Sequence, residues 1–102
     1  MRITIISGSH RTNSQSEKVA GVINAMLQEA GHEAAVLSLA ANPLPLWDES
    51  IWGGDEKWKQ LLDPMSEQLA ASDCFVVISP EWHGQVPSGL KNFFLMLSLI
   101  HI

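Results

Sequence analysis

Positive charge is scarce in this chain: 6 Lys and Arg stand against 11 Asp and Glu, for a formal net charge of −5. That deficit excludes the basic field on which general nucleic-acid binding depends. It also leaves no polybasic stretch for an anionic membrane surface. Long apolar runs are missing: no segment reaches the roughly 18 consecutive apolar residues of a membrane span. The N-terminus, Met1-Arg2-Ile3-Thr4-Ile5-Ile6, passes straight into a strand-like run and lacks the apolar core and small-residue cleavage site of a secretory leader. Cysteine is reduced to one residue, Cys74, which excludes an internal disulfide and fits a reducing compartment. A cytoplasmic location is the default these absences leave. Cys74 precedes an apolar run and is expected to be a buried structural thiol. Repeats, low-complexity tracts and linkers are absent as well.

What remains is one ordinary globular domain: 102 residues, 46% hydrophobic and 17% charged. Ile3 to Ser7 is a β-branched run ended by Gly8 and reads as a buried strand. A helix is predicted from about Ser14 to Ala30, with Val19, Ile23, Met26, Leu27 and Ala30 on its apolar face and Gly31 as its stop. Ala34 to Leu39 is the second strand. Pro43 and Pro45 mark a loop that Gly53-Gly54 prolongs. Trp58, Leu61, Leu62, Met65 and Leu69 recur at helical spacing, but Pro64 interrupts them. A short helical turn followed by a fresh helix, capped by Asp63 and running to Ala71, is therefore expected. Phe75 to Ile78 is a third strand, apolar without alternation and so expected to be covered on both faces. A last helix, with Ser88 as its cap, runs through Lys91, Asn92 and Phe94. This β-α-β-α-β-α order predicts an α/β fold with parallel strands and right-handed crossovers. Ligands of such sheets bind beyond the carboxyl ends of the strands.

Two loops lie at those ends. Gly8 to Ser16 joins a strand to a helix start, where unpaired amides and the helix dipole favour an anion. Ser9, Thr12, Ser14 and Ser16 add hydroxyls, and Arg11 adds a planar cationic fork suited to phosphate. A merely capped helix needs one hydroxyl rather than four with an arginine among them. The dinucleotide fingerprint lacks its further glycines here, a Gly-Lys-Ser/Thr triplet is missing, and no cysteine precedes the arginine as in a phosphatase loop. The second loop, Ser79-Pro80-Glu81-Trp82-His83-Gly84-Gln85-Val86-Pro87, offers a flat apolar ring and exposed amides to a heteroaromatic ligand. The residues alone leave open whether it is instead a tight turn with Trp82 packed into the core. His10, His32, His83 and His101 are not spaced as a metal site, and His10 and His32 are expected to be solvated loop residues.

Together these motifs resemble the NAD(P)H-dependent FMN reductase family, a flavodoxin-like group that includes quinone, azo-dye and chromate reductases. Gly8-Ser9-His10-Arg11-Thr12-Asn13-Ser14 is similar to its phosphate loop, Gly-Ser-x-Arg-x-x-Ser. Ser79-Pro80-Glu81-Trp82-His83-Gly84 with Leu90-Lys91-Asn92 is similar to its second signature, and Leu44-Pro45-Leu46-Trp47-Asp48 to its loop after strand two. The resemblance implies a doubly wound parallel sheet, here three strands in the order 2-1-3 with flanking helices. It implies that Ser9, Arg11, Ser14 and Ser16 hold the FMN phosphate, with Gln15 giving backbone. It also implies that Pro80, Glu81, Trp82, His83 and Gly84 line the isoalloxazine ring, with Trp82 in the place of the usual Tyr. No catalytic side chain and no metal are expected. A hydride passes from NAD(P)H to the flavin, which passes electrons to a small-molecule acceptor such as a quinone, an azo compound or another flavin. A homodimer or homotetramer is the expected assembly of a full-length parent.

Family members are nearly twice this length and have five strands. Residues 1–96 are therefore expected to be the N-terminal part of a flavodoxin-like domain, with the third strand as an exposed edge. The tail Leu97-Ser98-Leu99-Ile100-His101-Ile102 reads as translated sequencing adapter and is expected to be non-native. Two other functions compete with the enzyme: a flavin- or nucleotide-holding electron carrier without turnover, and an inactive partial domain.

Overall fold

The computed structural model describes residues 1–100, with side-chain surroundings as far as Leu97. The first strand, β1, spans Arg2–Ser7. Its β-branched Ile3, Thr4, Ile5 and Ile6 favour extended backbone, and all four are buried because β1 is the middle strand. β2 spans Glu33–Ser38 and β3 spans Cys74–Ile78. Both pair parallel to β1, giving the order β2-β1-β3. This is a flavodoxin-like open α/β sheet: the element order predicts its parallel strands, and the family resemblance implies its 2-1-3 order. The parallel register puts Thr4, Ile6, Leu37, Phe75 and Val77 on one face, and Ile3, Ile5, Val36 and Val76 on the other.

Helix α1, Gln15–Glu29, packs on β1 and β2. Ser14 caps it by accepting the Glu17 amide at 3.1 Å. Gly31, at φ +91°, closes the end and donates to the Gln28 carbonyl at 3.0 Å. The buried face differs from the expected one. Ser16 and Ala20 are buried and Ile23 and Leu27 half-buried, whereas Val19 and Met26 are exposed. Small residues win the sheet-facing side because they let the helix approach closely.

A 3₁₀-helix at Glu49–Gly53 lies inside the stretch expected to be loop. Its cap, Asp48, accepts the Ser50 amide at 2.7 Å. The Ser50 hydroxyl, and then that amide, hold the Asp48 carboxyl below the usual carboxylate range. Helix α2 corrects a second expectation. It runs unbroken over Glu56–Ala70 with Pro64 inside it, and its cap is Asp55, not Asp63. Trp58, Leu62 and Met65 anchor one face in the core, while Pro64 and Gln60 face solvent. The carbonyl of Gln60, which the missing Pro64 N–H would have engaged, is therefore free to take water.

Helix α3 spans Ser88–Ile100. Ser88 is its first residue rather than its cap. The Leu90 and Lys91 amides both donate to the Pro87 carbonyl at 3.1 Å. Of the expected non-native tail, residues 97–100 continue α3 and Leu97 is buried, while His101 and Ile102 lie outside the described residues.

The main core joins Ile6, Leu37 and Leu39 of the sheet side to Trp58, Leu62 and Met65 of α2 and Leu90, Phe93 and Met96 of α3. Each such large side chain contributes about 1.5–3 kcal/mol through burial. β3 is not covered on both faces: Phe75 is 49% and Val77 44% exposed beside α3. Cys74 is exposed too, against the expected burial, because β3 lies at the rim of the sheet and α1 sits over the other two strands. Among the described residues no helix is long and apolar enough to cross a membrane.

Pro64→Ala restores the missing amide in the middle of α2. It should stabilise the fold by about 1 kcal/mol or more, less than the ~3 kcal/mol intrinsic difference because proline also restricts the unfolded chain. The urea midpoint measures this, and an unchanged or lower midpoint would contradict a continuous helix.

Candidate functional site

Gly8 is where the site is set. Its amide donates to the Ile78 carbonyl at 2.8 Å, extending the β1–β3 pairing one residue beyond the strand. A Cβ at this position would stand 2.5 Å from the Ile78 oxygen and 2.7 Å from Leu90 Cδ2. Only glycine lets the end of β1, the end of β3 and the start of α3 converge here. Just before it, Ser7 buries a hydroxyl that has no partner among the described residues.

Beyond Gly8 the chain folds back on itself. Ser9 is buried and accepts the Arg11 amide at 3.2 Å. Ser14 uses its hydroxyl oxygen to cap α1 and keeps its O–H to donate. Ser16 is buried against the sheet side, while Arg11 and Gln15 are exposed. The Gln15 and Ser16 amides, in the first turn of α1, have no acceptor among the described residues. The Arg11 guanidinium makes no ion pair there either; the ion pair found among them joins Arg2 to Glu33. One carboxylate, Glu17, stands in the same helical turn. Its Oε1 accepts the Ser38 hydroxyl, which ties it to the end of β2, and it shares a depression with Thr12 and Asn13 of the loop. Amides, hydroxyls and a guanidinium on one loop are the donor set that a phosphate dianion takes, so the residues present fit that part of FMN.

The second loop is a tight turn. Trp82 and Gln85 exchange backbone hydrogen bonds at 3.1 Å in both directions, with His83 at φ +55° and Gly84 at φ +73° between them. Positive φ at both central residues is the I′ geometry, which glycine tolerates at the second position. Glu81 latches the turn from outside: its Oε1 accepts the Gly84 amide at 2.7 Å. The amides of Trp82, Gly84 and Gln85 are therefore taken, contrary to the expected supply of free donors, and those of Glu81 and His83 are left. Pro80 and Trp82 are half-buried; Glu81, His83 and Gly84 are exposed. Trp82 is thus not absorbed into the core.

The structure brings the two loops together through a residue expected to be merely solvated. The His10 ring meets Trp82 edge-on, with centroids 4.9 Å apart and planes at 77°. A Cβ on Gly89 would lie 2.7 Å from His10 Nδ1, so α3 begins directly against the same imidazole. His10 therefore joins the anion loop, the turn and α3. Its only sequence signal was its place between Ser9 and Arg11. Asn92 is the second residue whose work was hidden. Its Oδ1 accepts the Trp47 amide at 3.0 Å and its Nδ2 donates to the Pro45 carbonyl at 2.8 Å. That clasp fixes the loop after β2 as a wall beside His10.

The family model for NADPH-dependent FMN reductase matches residues 1–101. The chain belongs to that family. An FMN-dependent NADH:quinone oxidoreductase of Yersinia pestis is 29% identical over 100 residues, covering 85% of this chain and 50% of the relative. A protein of the same description from Shewanella loihica is 34% identical over 90 residues, covering 78% and 46%. The chain therefore spans about half the length of these relatives. The two loops built above coincide with the stretches by which the sequence resembles the family.

Gly8→Ala must displace the Ile78 carbonyl or the Leu90 side chain. The expected loss is about 1–3 kcal/mol, as for other overpacked sites, measured by urea unfolding. Gly53→Ala, where a Cβ meets nothing within 4 Å, is the control and should leave the midpoint within about 1 kcal/mol of its starting value. Equal effects at the two glycines would remove the steric argument.

Proposed function

We propose that this chain carries the phosphate-binding part and one wall of the ring-binding part of an FMN site, in an NAD(P)H-dependent oxidoreductase with a small-molecule electron acceptor. Bound FMN would supply the two-electron relay between nicotinamide and acceptor. The observation that carries the reading is an Arg11 guanidinium without an ion pair among the described residues, in the same loop that leads into the unpaired amides opening α1. The names of the relatives favour a quinone as acceptor.

In this reading the protein's residues bind and orient. Arg11, the Gln15 and Ser16 amides and the Ser9 and Ser14 hydroxyls hold the phosphate. Pro80, Glu81, Trp82, His83 and Gly84 flank the ring, with Glu81 acting by shaping the turn and Trp82 by presenting apolar surface. No side chain is assigned a nucleophilic or acid–base role.

The test is a titration of the chain with FMN and, in parallel, with riboflavin, which lacks the phosphate. FMN should bind at least about tenfold more tightly, the value of one charge-assisted contact of about 1.5 kcal/mol or more. Arg11→Ala should erase most of that difference and leave riboflavin affinity alone. Flavin fluorescence reads both. Because only part of the site is present, affinity for either flavin is expected to be weak; equal binding of the two ligands, or an Arg11→Ala variant that keeps the preference, would each defeat the assignment.

A further inference from the structure

Among the described residues no strand pairs with the outer edge of β3. One bond fixes which groups that edge presents. The Ile78 carbonyl accepts the Gly8 amide at 2.8 Å, so the backbone of Ile78 and Val76 faces β1. By alternation, the N–H and C=O groups of Phe75 and Val77 point outward. The Phe75 carbonyl meets the Cys74 thiol at 3.8 Å, a weak contact, and the others have no partner among the described residues. Edge strands ordinarily carry a lysine, a proline or another charge that discourages pairing. Cys74–Ile78 carries none of these. The opposite edge, β2, opens on Glu33, ion-paired to Arg2, and exposes no large apolar side chain.

A groove of about 490 Å³ lies beside the β3 edge. Leu69 and Ala70 of α2, Phe75 and Val77 of β3, and Phe93 and Phe94 of α3 line it, with no polar side chain among the described residues. Phe75 is 49% and Phe94 43% exposed, which leaves roughly 100 Å² of each side chain in water. Nothing within these 102 residues remains to cover it. Helix α3 runs to Ile100, and the two residues after it span at most about 7 Å.

We propose that this edge is the contact surface for a second copy of the chain, joined β3 to β3 in antiparallel fashion about a twofold axis at Val76. This register uses every outward group of the strand. Phe75 of each copy stands opposite Val77 of the other, and the two exchange both backbone hydrogen bonds. On the groove side an aromatic ring then meets a β-branched side chain, a favourable cross-strand combination. Asp73 falls opposite Ser79, so the net charge of −5 on each copy brings no like charges face to face across the strands. A twofold contact closes on itself. The area sets its strength. Phe75, Val77, Phe94 and the strand edge of both copies together stay below the ~1,200 Å² of stable pairs, so the dimer is weak, with a Kd on the order of 10–100 μM. The contact goes beyond the function proposed above and is independent of flavin.

The experiment uses the 102-residue chain without flavin and with a reductant, in sedimentation from about 1 to 500 μM, a range that brackets the expected Kd. The mass should rise from monomer to dimer and stop there. Val77→Lys, at an exposed position, should keep the native amide spectrum and weaken association at least about tenfold, because the pairing buries the new charge. The register has its own test. In a Cys74→Ser background, Val76→Cys places two thiols across the axis with Cα atoms about 4.5 Å apart, within disulfide reach. Oxidation should link that variant into a covalent dimer. The unaltered chain should not link, because its two Cys74 residues stand about 13 Å apart along the strands. A monomer at every concentration, a mass that climbs past the dimer, full association in Val77→Lys, or linkage through Cys74 in place of position 76 would each overturn the proposal. Because flavin is absent, none of these results bears on the FMN–riboflavin comparison.

Discussion

The approach of Gly8 to the end of β3 is the constraint on which the rest depends. One hydrogen bond, from the Gly8 amide to the Ile78 carbonyl, ties the exits of two parallel strands together at 2.8 Å. Because nothing protrudes from Gly8, Leu90 can pack against it and draw the start of α3 into the same corner. Three segments far apart in sequence then leave the sheet from one point. The anion loop, the Trp82 turn and the α3 start become neighbours without any of them having to reach.

That convergence explains why so few side chains do the joining. His10 spans the gap from the first loop to Trp82 and Gly89. Asn92 spans it from α3 to the Pro45–Trp47 backbone. Both use short, planar groups with few rotatable bonds, which lose little entropy on being fixed. Ser38 does a related task on the far side. Its hydroxyl donates to Glu17, while its carbonyl accepts from the amide and side chain of Asn42. A negative charge in the first turn of α1 stabilises the helix but would repel a bound anion.

The strands, the helices and the two motif loops were legible because each rests on local rules: β-branched runs, a glycine stop, hydroxyls around an arginine. The failures came where tertiary packing overrules a local rule. Pro64 breaks an isolated helix, yet in α2 it falls on the solvent face while Trp58, Leu62 and Met65 hold the other side. The apolar periodicity of α1 pointed to Val19 and Met26. The sheet accepted Ser16 and Ala20 instead, a choice of size that hydropathy does not record. Cys74 was read from its apolar neighbours, but a residue's burial at a sheet rim depends on what lies beside the strand. The motif around Trp82 was visible, whereas the occupation of its amides by Glu81 and by the turn itself was not. The work of His10 and Asn92 lies entirely in contacts across the fold, and no spacing along the chain announces it.

The exposure of Cys74 has a practical side. It is the one cysteine in the sequence, and it sits in the outer strand, one residue from Phe75 and three from Val77. A maleimide dye or spin label will therefore attach at a single known place, next to the bare apolar rim of the sheet and at the opposite end of β3 from both motif loops. The protein arrives with its own attachment point for a reporter, placed to sense whatever comes to rest along that edge while leaving the candidate sites chemically untouched.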